Sequence, residues 1–106
     1  MNAILQVLEK LLARTNEGRI PWKTTVDEKS FTASFGATSV VIEELIPFGR
    51  YAFRILDEAG REIESANTSN LESNTDMFQD LFYEARRLAR DTDNKLEALL
   101  AELDQV

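Results

Sequence analysis

Between Trp22 and Ala66 apolar and polar residues alternate in short runs, and only a few residues separate one run from the next. Alternation with a period of two is the signature of a half-buried strand. Connections this short join antiparallel neighbours only, because a parallel crossover needs a dozen residues or more. The expectation is a five-stranded antiparallel meander. Trp22, Thr24 and Val26 alternate first, and Asp27-Glu28-Lys29 turns the chain. Phe31, Ala33 and Phe35 come next, closed by Gly36, and Ser39 to Leu45 is a third strand rich in β-branched residues. In Ile46-Pro47-Phe48-Gly49, Pro presets φ and Gly supplies a positive one, as a turn requires. Tyr51 to Leu56 then runs into Asp57-Glu58-Ala59-Gly60, and Arg61-Glu62-Ile63 returns. That loop suits a type I turn with Gly in the left-handed position.

The alternation sorts the strands into two faces. Trp22, Phe31, Phe35, Val40, Ile42, Tyr51, Phe53, Ile55 and Ile63 are expected on one, which helices must cover because one half-apolar sheet cannot bury itself. Lys23, Thr32, Ser34, Glu43, Arg54, Glu62 and Glu64 fall on the other, with Val41, Ala52 and Leu56 among them. Glu43, Arg54 and Glu64 are candidates for cross-strand ion pairs.

Helical patterns flank the meander. Ile4, Leu5, Val7, Leu8, Leu11 and Leu12 recur at helical spacing, and the helix should stop at Asn16-Glu17-Gly18, with Pro21 preventing its resumption. Asn67 to Thr75 reads as a polar linker, with Asn74, Thr75 or Asp76 capping the last helix. From Met77 to Leu103 one apolar phase persists through Phe78, Leu81, Phe82, Ala85, Leu88, Ala89, Leu96, Leu99, Leu100 and Leu103. Asp91-Thr92-Asp93-Asn94 is the weak spot, where Asp or Asn can cap a new helix. The unreset phase favours one continuous helix to Asp104. The whole is a single α+β domain over residues 1–106: N-terminal helix, five-stranded meander, long C-terminal helix, with the helices packed on one sheet face.

Composition removes several chemistries. The chain has no cysteine and no histidine, so thiol nucleophiles, disulfides, thiolate metal sites and imidazole catalysis are absent. Lack of cysteine agrees with a cytoplasmic location. A formal net charge of −7 repels nucleic acid and anionic lipid. Met1 to Lys10 lacks the basic and apolar regions of a signal peptide, and no apolar run approaches a membrane span.

Leu11-Leu12-Ala13-Arg14-Thr15, Gly18, Ile20 and Trp22 resemble the opening of a group of small uncharacterised bacterial proteins. That group continues with a meander containing an aromatic-x-aromatic-x-Ile-x-Asp-x-x-Gly hairpin, then an acidic-start helix bearing Leu-Phe-Tyr-Glu-Ala-Arg-Arg. Tyr51, Phe53, Ile55, Asp57 and Gly60, then Leu81 to Arg87, match it. The resemblance covers most of the chain and implies the fold, with no activity, cofactor or site residue. A more distant likeness is to acidic secretion chaperones, which usually interrupt their strands with a helix that this sequence lacks.

Asp91, Asp93 and Glu102 match positions one, three and twelve of a calcium loop, but Lys95 and Leu96 stand where a ligand and a glycine are needed. Glu43-Glu44, Asp57-Glu58, Glu62 and Glu64 are carboxylates on strands and a hairpin tip, where charges are normally solvated. No phosphate loop or nucleophile elbow occurs, and no catalytic, cofactor or metal residue is expected. Tyr83, Arg86, Arg87 and Arg90 fall on the polar face of the last helix. They are the partner-binding candidates, since Tyr and Arg are enriched at protein hot spots. The alternative is internal pairing, with Glu84 and Asp91 neutralising Arg87 and Tyr83 lying on an Arg stem. Leu96, Leu99, Leu100 and Leu103 are the dimer-interface candidates, because a sheet this short cannot cover a helix this long. The expected function is a non-catalytic protein-interaction module, homodimeric, whose immunity, antitoxin or chaperone-like role the sequence leaves open. The alternative is a small-ligand sensor or minor enzyme with a pocket between sheet and helices.

Overall fold

A computed structural model describes residues 3–45, 49–68 and 75–106. The element order is α1 (Ala3–Asn16), β1 (Lys23–Thr24), β2 (Ser30–Phe35), β3 (Thr38–Leu45), β4 (Arg50–Leu56), β5 (Glu62–Asn67), α2 (Thr75–Ala89) and α3 (Thr92–Leu103). The strands form one antiparallel sheet in sequential order β1-β2-β3-β4-β5, the expected meander. Of the Ile46–Gly49 turn only Gly49, at φ 89°, lies within the described residues. Most of the 67–75 linker lies outside them too, but Asn67 belongs to β5. Thr68 prolongs the ladder, donating its N–H to the Tyr51 carbonyl at 3.0 Å.

Two turns form as their residues dictate. α1 ends in a Schellman motif: Gly18, at φ 73°, donates to the Thr15 carbonyl (2.9 Å) and Arg19 to that of Arg14 (3.0 Å). At the β4–β5 hairpin, Gly60 takes φ 81° and donates to the Asp57 carbonyl at 3.0 Å. Asp57 Oδ1 accepts from the Ala59 and Arg61 amides, both at 2.9 Å, so the side chain holds the turn shut.

α2 lies across β1 to β4 and α1 packs beside it, so both cover the same sheet face. Phe31, Ala33, Val40, Ile42, Tyr51, Phe53 and Ala66 meet Ile4, Leu8 and Leu11 of α1 and Phe78, Leu81, Phe82 and Ala85 of α2. Phe53 and Trp22 are buried, as their phase requires. Phe82 anchors α2, its ring centroid 5.5 Å from Phe31 and 5.4 Å from Tyr51. The Trp22 indole N–H donates to Thr15 Oγ1 at 3.0 Å, tying the end of α1 to the start of the sheet.

The structure corrects the sequence reading at five places. The long helix is not continuous: Asp91 adopts φ 54°, ψ 41° between α2 and α3. The phase survives by coincidence of length, because two residues in a turn advance the chain without resetting the apolar positions. β1 is only two residues long, and Val26 is fully exposed beyond it. Phe35 shares the covered face by register but lies past the reach of the helices and is 40% exposed. The phase of β5 is shifted. Ala66 opposes Phe53 and Glu64 opposes Ile55, so both fall on the helix-facing side of the sheet, where Ala66 is buried and Glu64 is exposed, and a bulge at Ile55/Leu56 leaves Ile63 exposed. Of the expected ion-pair group, Arg54 Nε lies 3.3 Å from Glu43 Oε1, while Glu64 turns to its neighbour's amide, Ser65 N, at 3.1 Å. The Arg54–Glu43 contact has the distance of an ion pair but not hydrogen-bond geometry, and its Nε is otherwise unpartnered.

Candidate functional site

Three surface features stand apart from the core. The first is the face around Tyr83, Arg86, Arg87 and Arg90. The helix brings the four together along a shallow concavity, as their spacing requires. Each is already engaged within the chain. The Arg86 guanidinium stacks 4.8 Å from the Tyr83 ring centroid and 5.9 Å from that of Phe82. Arg90 donates to the Glu28 carbonyl at 2.9 Å and lies 5.4 Å from the centre of Phe31. Arg87 pairs with Asp93 at 2.8 Å, not with the expected Glu84 or Asp91, because the break at Asp91 swings Asp93 back toward α2. That hydrogen bond raises the Arg87 pKa further, and its guanidinium stays charged. Together Arg87 and Arg90 clasp α2 to α3 and to the β1–β2 loop.

Beneath this face, burial raises the Tyr51 phenol well above its ordinary value, with Tyr83 and Glu44 adding to the shift. Tyr51 is therefore a neutral phenol at physiological pH and offers no base. Glu44 lies 3.6 Å from Lys29, and Arg61 Nε donates to Asp57 at 3.2 Å, so these strand and hairpin carboxylates have structural partners. Among the described residues no three potential metal-ligating side chains converge, and no helix is long and apolar enough to cross a membrane.

The second feature is α3. None of its residues is buried, and among the described elements it touches only α2. Leu96, Leu99, Leu100 and Leu103 are 53%, 49%, 62% and 58% exposed along one stripe. The projecting helix lengthens the molecule to 55 × 30 × 25 Å, with a radius of gyration of 15.2 Å where a compact domain of this length has about 13 Å.

The third feature is a groove of about 370 Å³ between α1 and the β2–β3 end of the sheet. Val7, Leu11, Ile20, Phe35, Val40 and Ile55 give it an apolar lining, and Lys10 and Arg14 stand at its rim. Sequence reasoning named a sheet–helix pocket without its residues. The available signal was Val7, which lies at the margin of the α1 stripe, and Phe35, which falls at a strand's end. No family model, curated protein or solved structure matches the chain, so the resemblance to small bacterial proteins rests on its motifs alone.

Proposed function

We propose that this chain is a non-catalytic protein-interaction module that self-associates through α3. The observation that carries the reading is the leucine stripe of α3, left uncovered on an otherwise well-packed domain. Soluble monomers rarely leave such a stripe in water, and a second copy buries it from both sides. The absence of cysteine and histidine and the neutrality of Tyr51 support the non-catalytic part. A cytoplasmic location belongs to the same proposal, supported by the cysteine-free composition. Tyr83, Arg86, Arg87 and Arg90 rank second as a face for a further protein, because their side chains already hold the chain's own groups.

Sedimentation equilibrium at micromolar concentration tests the reading. A dimer is expected, converting to monomer with an unchanged fold in Leu99→Glu/Leu103→Glu. A monomeric parent chain sinks it. The small-ligand reading draws on one observation, the groove between α1 and the sheet. Its polar lining comes from Lys10, Arg14 and Thr38, with no carboxylate among them.

A further inference from the structure

We propose that the α3 stripe of one copy docks in the α1–sheet groove of a second copy, its acidic flanks facing the Lys10–Arg14 rim. The inference rests on the self-association reading and specifies where the stripe goes.

Stripe against stripe is a poor solution. The four leucines together expose little more than two leucines' worth of surface, roughly 400 Å² a copy, against about 800 Å² per partner in a stable interface. Charge opposes it as well. Glu97, Glu102 and Asp104 flank the stripe and Lys95 is the single cation among them, so two α3 helices face to face bring like charges together. Among the described residues those three carboxylates form no ion pair.

The groove has the complementary character. Its wall is apolar, with Val7 38% and Phe35 40% exposed, and its rim is cationic. Lys10 has no partner among the described residues, and Arg14 reaches only the exposed Glu17, at 3.0 Å. Glu64, the acidic residue opposite Ile55, is turned to its own backbone. An amphipathic helix laid into an apolar groove is a recurrent mode of recognition, read as anchors at i, i+3, i+4 and i+7. Leu96, Leu99, Leu100 and Leu103 have that spacing.

The chain's own α3 is held away from this groove. Arg90, at the junction just before α3, is fixed to Glu28, beside the Ser30 end of β2, whereas the groove lies at the Phe35 end. The six residues of β2 separate the two by about 20 Å, and Arg87–Asp93 ties α3 to the wrong side of that gap. A second copy has no such restraint. Made twice about a twofold axis, the contact uses a stripe and a groove from each copy, and so buries more surface than stripe against stripe.

The absence of native cysteine makes a direct test clean. Chains carrying Val7→Cys and Leu99→Cys, both at partly exposed positions, are mixed at micromolar concentration under mild oxidation. The expected product is a covalent heterodimer of the two variants, well above the homodimer that either forms alone. Leu99→Cys linking only to itself overturns groove docking and leaves self-association standing. No cross-link, with a monomeric parent chain in sedimentation, overturns both. As a second arm, Lys10→Glu/Arg14→Glu should weaken association about tenfold or more, with the circular dichroism spectrum of the folded chain unchanged. Mixing with Glu97→Lys/Glu102→Lys should restore it. Charge reversal without effect on association also overturns the proposal.

Discussion

α2 and α3 are consecutive helices with only Arg90 and Asp91 between them, and their apolar residues keep one helical phase. In α2, Phe78, Leu81, Phe82 and Ala85 are each at most 2% exposed. In α3 the four leucines are each about half exposed. The difference is not in the helices but in what lies beneath them. α2 spans four strands and borders α1, whereas α3 starts where the sheet has ended. An amphipathic pattern says which face of a helix needs cover. It does not say that the same chain provides it.

The sharpest test of this contrast is stability. Phe82→Ala should cost about 3–5 kcal/mol by urea unfolding, because it empties a site lined by Phe31, Tyr51 and the packed sheet. Leu99→Ala, measured at a dilution where the chain is monomeric, should stay within about 0.5 kcal/mol. Equal costs would mean that α3 has cover within one copy.

A second effect appears in alkali and belongs to α2's side of the contrast alone. The unfolded chain loses the Tyr51 proton from about pH 10, the ordinary phenol value, while the folded chain retains it. A folded pKa above the unfolded one means that stability is full below pH 10 and falls as pH rises past it. Tyr51→Phe should flatten that decline in denaturant midpoints measured across the range. A decline unchanged in the variant would place its origin elsewhere.

The junction itself gives a smaller effect. Asp91 holds a left-handed conformation that non-glycine residues adopt at a cost. Its Oδ1 accepts from Asn94 Nδ2 at 2.8 Å, which offsets part of that cost. Asp91→Gly should gain about 0.5–1 kcal/mol and Asp91→Ala should lose stability, read from thermal melts. An alanine variant as stable as the parent, with more helix by circular dichroism, would show that the two helices can fuse. The smallest effect is at Arg87. Its pair with Asp93 is exposed on both sides, so Arg87→Ala should change stability slightly, and the change should vanish near 1 M salt, where the screening length is about 3 Å.

Much of this architecture was legible because local chemistry decided it. Gly18 and Pro21 stop α1, Asp57 and Gly60 close a hairpin, and Phe53 lies in an alternation whose other face carries Arg54. The misread places are those where tertiary context overrides a local pattern. At Ile63 the alternation is intact in sequence, but a bulge moves the residue out and puts the small Ala66 on the covered side. At Asp91 two helices in one phase read as one. The arginine face was assembled from helical spacing alone, and its real contacts, with Asp93 and Glu28, depend on a bend and a loop that spacing does not encode. The groove was named only as a class of pocket, since its walls come from α1, Ile20 and three strands far apart in the chain.

Trp22 is the chain's single tryptophan, and its buried indole is hydrogen-bonded to the last turn of α1. That makes its emission an intrinsic optical gauge of whether α1 is seated. Lifting the helix would bring water to the ring and shift the spectrum to the red. Because α1 is also one wall of the groove, the same unlabelled signal watches the joint between the N-terminal helix and the sheet as the groove is filled or emptied.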